Sequence, residues 1–163
     1  MVPVAVGLGS NLGDPIQNVK RACAVLAERF GPIRMSPLYR TSPMYVTDQP
    51  DYINAAASLE TAMGPREFLR QLKTIESDFG RVPSERYGPR LLDLDLLTYG
   101  SLNFRGAGVS IPHPRLQERL FVLAPLADLD RELLIPGQGI VGDLADHVFV
   151  EQSVERVEAY ADL

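Results

Sequence analysis

The run Leu91-Leu92-Asp93-Leu94-Asp95-Leu96-Leu97 sets five leucines beside two aspartates, and only one regular backbone suits both kinds of side chain. In a helix the two acids would face nearly opposite directions, whereas in a strand alternate residues share a face. The pattern therefore predicts a strand over Leu91 to Tyr99, with Leu92, Leu94 and Leu96 on one face and Leu91, Asp93, Asp95 and Leu97 on the other. The carboxylates then lie roughly 6.6 Å apart along the chain, near enough to converge on cations spaced at about 3.5 to 4 Å. Two like charges on a leucine-rich strand resist burial unless something neutralises them. Hard oxygen donors of this kind select Mg²⁺, which takes one or two carboxylates and completes its shell with water and phosphate oxygens. A strand with a solvated acidic face fits the same pattern, and strand geometry alone does not separate the two.

The surroundings of the acids add basic residues. Arg81, Arg86 and Arg90 crowd the loop that enters the strand, and Arg115 and Arg119 follow His113. Forked guanidinium donors neutralise phosphate while fixing its geometry. Of 16 basic residues, 14 are Arg and only Lys20 and Lys73 are Lys, a bias that genome composition also produces. Any one Arg by itself reads as a solvated surface residue. The association of acid pair and basic loop is the stronger observation. The net charge of −5 argues against a surface built for nucleic acid, though it leaves room for a local basic pocket. His113, held between Pro112 and Pro114, is presented on stiff extended backbone and is able to donate to a phosphate. A lone histidine is more often structural, and His147 has no setting that argues otherwise.

The rest of the chain frames these residues. Val2 to Leu8 reads as a buried strand and Gly9-Ser10-Asn11-Leu12-Gly13 as a turn, with Asp14-Pro15 opening a helix that runs to about Phe30. The glycines Gly7, Gly9 and Gly13 follow a GxGxxxG spacing, not the dinucleotide GxGxxG, and no GK[ST] ending of a P-loop is present. A tight turn that seats the first helix is the favoured reading. An extended stretch follows from Ile33 to Tyr39, then a long loop over Thr41 to Asp51 broken by Ser42-Pro43 and Gln49-Pro50. Tyr52 to Thr61 is a strand, and Pro65 opens a second helix ended by Gly80. A polar loop spans Arg81 to Pro89. After the acidic strand come a short strand ending at Ile111, a helix over Leu116 to Leu126 and a late strand at Leu133 to Ile135. The order of elements implies an α+β domain with a mostly antiparallel sheet covered by helices.

The chain is close to the usual size of one compact domain, with 163 residues of which 45% are hydrophobic. A domain over residues 1–147 and an acidic tail over 148–163 are expected. The single cysteine, Cys23, favours a reducing compartment, and no apolar run suits a signal peptide or a bilayer span, so a cytoplasmic protein is expected.

The segment Arg86-Tyr87-Gly88-Pro89-Arg90-Leu91-Leu92-Asp93-Leu94-Asp95-Leu96-Leu97 resembles the signature of the 6-hydroxymethyl-7,8-dihydropterin pyrophosphokinases of folate biosynthesis. The resemblance also takes in Gly9 to Gly13, Tyr39-Arg40-Thr41, Asp48 to Ala55, Ile75-Glu76, Gly80-Arg81 and Ile111 to Arg115, covering most of the chain up to about His147. It departs from a common family pattern at Tyr87, at Val82-Pro83-Ser84 and at Pro114.

The resemblance implies a ferredoxin-like fold and transfer of diphosphate from ATP to the pterin hydroxymethyl oxygen, leaving AMP. It places a pair of Mg²⁺ ions on Asp93 and Asp95 and adds Arg81 and Arg90 to the catalytic set. It puts the pterin pocket on Thr41, Ser42, Met44, Tyr52, Asn54 and Phe121. ATP contacts fall on Leu69, Lys73, Glu76, Arg81, Arg90, Leu96, Ser110, His113 and Arg119. The loops Thr41 to Asp51 and Arg81 to Pro89 are expected to close over the nucleotide. Partners are ATP and the reduced pterin, with other folate-pathway enzymes as possible neighbours and neither nucleic acid nor membrane. The rival readings are a non-catalytic ferredoxin-like ligand-binding module and a dinucleotide-dependent oxidoreductase, the latter weakened by the glycine spacing.

Overall fold

The structure is a computed structural model that describes residues 1–42, 48–80, 89–149 and 152–158. Its centre is an antiparallel sheet of β1 (Val2–Ser10), β3 (Leu38–Thr41), β4 (Tyr52–Thr61), β5 (Asp93–Tyr99) and β10 (Glu155–Glu158), in the order β10-β3-β4-β1-β5. The short β2 (Arg34–Met35) also pairs with β4. Two hairpins stand apart: β6 (Phe104–Gly106) with β7 (Val109–Ile111), and β8 (Leu134–Ile135) with β9 (Gly139–Ile140).

The alternation read from the leucines sorts the two faces of the sheet. Val4, Val6 and Leu8 of β1 join Leu92, Leu94 and Leu96 in a core roofed by α1 (Pro15–Phe30) and α2 (Pro65–Asp78). Asp14 caps α1 by accepting from the Gln17 N–H at 3.3 Å, and Pro15 occupies the first turn where its missing N–H costs nothing. Phe68, Leu72 and Leu26 are fully buried here, each worth about 1.5–3 kcal/mol of apolar burial. Cys23 lies in this core as a small apolar residue, and burial pushes its thiol up to about 12.

The opposite face is only partly covered. Ala5, Ala56 and Leu97 meet Leu120, Leu123 and Leu126 of α3 (Leu120–Leu129) and Val141, Ala145 and Val148 of α4 (Val141–Phe149). The chain positions at Gly7, Gly9, Asp93 and Asp95 are on this face too, beyond the apolar cluster.

Several element boundaries differ from the expectation, and the strand expected from Leu91 begins at Asp93. β1 continues through Gly9 to Ser10, because its pairing with β4 extends to the Ser10 and Ile53 rung and satisfies the backbone there. The helix expected over Leu116 to Leu126 is broken at Arg119 into a 3₁₀ turn, Leu116–Glu118, and α3. Packing continues past residue 147: Val148 is buried in the second core, and Glu155–Glu158 adds an edge strand to β3. No helix among the described residues is long and apolar enough to cross a membrane.

Candidate active site

Strand register lines up the site. On β5, Asp93 pairs with Gly9 and Asp95 with Gly7; on β4, Gly9 pairs with Asn54 and Gly7 with Ala56; on β3, Asn54 pairs with Tyr39 and Tyr52 with Thr41. One row of the sheet therefore reads Asp93, Gly9, Asn54, Tyr39. Because Gly9 has no side chain, Asp93 and Asn54 face each other over bare backbone, roughly 10 Å apart at two interstrand spacings. A Cβ added at Gly9 would sit 2.9 Å from Asn54 Oδ1 and 3.8 Å from Tyr52 Cδ1. Gly9, read as a turn residue, is a buried strand residue whose missing side chain makes room for Asn54 and Tyr52, while Gly7 lies under the Leu97 side chain, 3.3 Å from where a Cβ would stand. The periodicity of the strand, carried two residues further, was the signal for this.

The walls around Gly9 are held by side-chain hydrogen bonds. Asn54 Nδ2 donates to Thr41 Oγ1 at 2.8 Å, which leaves its Oδ1 leaning over Gly9. Burial raises the Tyr52 pKa first, the Asp93 charge raises it further and Arg90 opposes both, so Tyr52 stands in the field of both groups as a neutral phenol. Asn11, 1% exposed, ties three segments together. Its Nδ2 donates to Gln49 Oε1 at 2.9 Å and to the Pro50 carbonyl at 3.0 Å, while its Oδ1 accepts from the Arg90 N–H at 2.8 Å. The bases of both long loops are thus anchored to one buried amide, a role that position alone did not reveal.

The acid pair is fixed from behind. β5 is the sheet edge, so the N–H and C=O of Leu94 that point away from β1 need partners. Glu76 Oε2 accepts from the Leu94 N–H at 2.6 Å, and Lys73 Nζ donates to the Leu94 carbonyl at 2.8 Å and to Glu76 at 2.9 Å. Lys73 also lies 3.8 Å from Asp95 Oδ1, offsetting part of its charge. A bulge between Ala5 and Val6 leaves Leu97 outside the paired register, and its carbonyl accepts from the His113 N–H at 3.0 Å. This seats the Pro-His-Pro segment against the same edge.

Burial pushes the His113 pKa down to about 4, with further depression from the charges of Arg119, Lys73 and Arg115. The imidazole is neutral at pH 7, and its Nδ1 accepts a long 3.4 Å contact from the Arg115 N–H, so Nε2 carries the proton and is the donor. Arg119 places its guanidinium carbon 5.6 Å from the ring centroid of Phe121, which opens α3 on the same sheet face as Tyr52 and Asn54.

The structure thus brings together Arg90, Asp93, Tyr52, Asn54 and Thr41 around Gly9, and Lys73, Asp95, His113 and Arg119 beside them. Glu76 is buried behind β5. Leu96 and Leu69 pack in the α1 and α2 core, and Ser110 sits in the β6–β7 hairpin three residues before His113. Ser42 is exposed where β3 ends. Met44, Arg81, Arg86, Tyr87 and Val82-Pro83-Ser84, with most of the two loops expected to close, lie outside the described residues. Among the described residues no three His, Cys, Asp or Glu side chains group as a metal cage; Asp93 and Asp95 are a two-carboxylate set, which fits the sparse protein ligation of Mg²⁺.

The family model described as 7,8-dihydro-6-hydroxymethylpterin-pyrophosphokinase matches residues 5–131, a span that contains every one of these groups. The chain belongs to this family. Among similar pyrophosphokinases, the 2-amino-4-hydroxy-6-hydroxymethyldihydropteridine pyrophosphokinase of Haemophilus influenzae is 34% identical over 157 residues, covering 93% of this chain and 98% of the relative. That of Pseudomonas aeruginosa is 41% identical over 136 residues, covering 82% and 83%. The mitochondrial folate synthesis bifunctional protein of Pisum sativum is 47% identical over 127 residues, or 77% of this chain, which spans 25% of that protein's length. The α+β fold is shared with the solved Plasmodium falciparum HPPK-DHPS bound to pteroate, at a TM-score of 0.75 and 14% identity, over 91% of this chain and 42% of that one.

Proposed function

We propose that the chain transfers a diphosphate from ATP to the hydroxymethyl group of 6-hydroxymethyl-7,8-dihydropterin, on a ferredoxin-like fold whose site lies within residues 1–147. The observation that carries the reading is the row Asp93, Gly9, Asn54: a charged edge for phosphate and metal, a bare floor, and an oriented amide for a heterocycle. The strand order β3-β4-β1-β5, with α1 and α2 on one face, supports the ferredoxin-like assignment.

In this reading the flat pterin lies over Gly9 with Asn54 Oδ1 accepting from its ring edge, and with Tyr52 and Phe121 as aromatic walls. Met44 and the backbone of Thr41 and Ser42 complete the pocket. The substrate hydroxyl oxygen forms a bond to the β-phosphorus of ATP and gives up its proton to solvent, the bond from that phosphorus to the α,β-bridging oxygen breaks, and AMP leaves with that oxygen. Mg²⁺ on Asp93 and Asp95, two ions when fully loaded, supplies charge neutralisation of the transferring phosphates. Arg81, Arg90, Arg119, Lys73 and neutral His113, with Ser110, Leu69 and Leu96 nearby, bind and orient the nucleotide. Alignment and charge supply the catalysis, and no side chain is needed as a covalent nucleophile.

A cytoplasmic setting and association with other folate-pathway enzymes are part of the proposal; the bifunctional name of the Pisum sativum relative supports the second. A binding module would leave the acid pair and the cations around His113 unused. Incubation with ATP, Mg²⁺ and the reduced pterin alcohol is expected to release AMP and the pterin diphosphate; ATP recovered intact with this and related pterins would refute the reading.

A further inference from the structure

The amide of Gln152 reaches back across the fold to two backbone groups that flank Arg119. Its Oε1 accepts from the Leu120 N–H at 3.1 Å, a partner 32 residues away, and its Nε2 donates to the Glu118 carbonyl at 2.7 Å, 34 residues away. The position matters because Arg119 is the break between the 3₁₀ turn and α3, with φ −122° and ψ 99°. A helix start leaves its first N–H groups without intrahelical acceptors, and Arg119 provides no side-chain cap to α3. Gln152 supplies the acceptor from elsewhere in the chain. On the other side, the Arg119 carbonyl accepts from the Val122 and Leu123 N–H groups at 3.0 and 2.9 Å, so the backbone is pinned before and after the arginine.

The same segment grips the opposite wall of the site. Glu155 pairs with Arg40 and Arg156 with Tyr39 on β3, the strand that ends at Thr41. Arg156 donates to Tyr39 Oη at 3.2 Å and to Asp128 of α3 at 2.8 Å. Residues 152–158 therefore connect the strand that orients Asn54 to the turn that presents Arg119 and Phe121.

We propose that Gln152 is a positioning residue: its amide clips the Glu118 to Leu120 backbone so that Arg119 and Phe121 are held in place for the substrates. This rests on the reading above of Arg119 as a nucleotide contact and Phe121 as a pterin wall. The clip acts on bound-state alignment through two backbone groups, and each of its prongs is removable on its own.

The test compares full-length wild type, Gln152→Ala, which removes both prongs, and Gln152→Glu, which keeps the acceptor but not the donor. Dissociation constants for the reduced pterin alcohol and for Mg²⁺-ATP, steady-state KM and kcat, melting temperature, and hydrogen exchange at the Leu120 amide are measured on each. Gln152→Ala is expected to raise both dissociation constants about tenfold, the value of one to two hydrogen bonds, with faster exchange at Leu120 and KM more affected than kcat. Gln152→Glu is expected to fall between it and wild type, and because it keeps the Leu120 acceptor it also serves as the variant that folds if Gln152→Ala does not. Dissociation constants within about twofold of wild type in the folded variants, even with a lowered melting temperature, overturn the positioning role. A wild type that binds pterin yet forms no AMP overturns the catalytic reading alone, since the affinities still decide the clip.

Discussion

The carboxylate of Glu76 accepts a hydrogen bond from the Leu94 N–H at 2.6 Å, directly behind the strand position between Asp93 and Asp95. With Lys73 donating to the Leu94 carbonyl, the pair does for the edge of β5 what a neighbouring strand would do. The rigidity of the acid pair thus depends on Glu76, buried in α2 eighteen residues away, and on its half-exposed partner Lys73.

Replacing Glu76 by Ala leaves the Leu94 N–H without its acceptor and Lys73 with Asp95, 3.8 Å away, in place of its closer carboxylate. Stability is expected to fall by about 1–3 kcal/mol, the cost of an unsatisfied buried N–H, and Glu76→Gln by less, because the amide oxygen still accepts. Urea unfolding of both variants checks this; a Glu76→Ala midpoint equal to wild type would sink the edge-clamp account.

Asp93→Ala and Asp95→Ala remove charge from a pair that repels itself in the absence of cation. Each is expected to lower kcat by about 100-fold or more while leaving the melting temperature unchanged or slightly raised. AMP release against Mg²⁺ concentration reads the first effect and calorimetry the second. Retained turnover in the double variant refutes the metal role.

Gly9→Ala puts a methyl group 2.9 Å from Asn54 Oδ1, and Asn54 yields only by giving up its bond to Thr41. The fold is expected to survive and pterin affinity to drop about tenfold, the scale of a lost hydrogen bond, with ATP affinity nearly unchanged. Equal pterin binding by calorimetry in variant and wild type would show that the floor is not used.

His113 has a folded pKa of about 4 against an ordinary value of 6.5. Between these values the unfolded chain binds the proton and the folded chain does not, so stability rises with pH across this window. The contribution is complete above 6.5 and is lost as pH falls toward 4. His113→Asn is expected to show a shallower dependence of unfolding midpoint on pH between 4.5 and 6.5, within about a pKa unit, and parallel curves for the two proteins would count against it.

Cys23 is buried with its thiol pushed up to about 12. A thiol-specific reagent at pH 8 is expected to label it only at the rate of global unfolding, and fast labelling of the native protein would contradict its placement.

The alternation of Leu92, Asp93, Leu94, Asp95 and Leu96 was legible in the sequence because side-chain direction in a strand has a fixed period of two, independent of neighbours. Helix starts at Asp14-Pro15 and at Pro65 were legible for the same local reason, since capping and the missing proline N–H act within one turn. The family signature from Arg86 to Leu97 was readable as a pattern, and the model match over residues 5–131 agrees with it. Helix α4 was missed although Val141, Ala145 and Val148 are spaced for one face. β10 had no local signal, because an acidic edge strand is defined by the partner it pairs with.

What tertiary structure decided is the company each side chain keeps. Nothing local tells Gly9 that Asp93 and Asn54 will stand on either side of it, because that row exists only once β5 and β4 both pair with β1. Nor does sequence separation of 32 residues show that Gln152 reaches Leu120, or that Asn11 joins Pro50 to Arg90. The chain by itself determined which faces are apolar and where two carboxylates project. Folding determined what faces them, because hydrogen bonds and charge act through space and the register of distant strands sets that space.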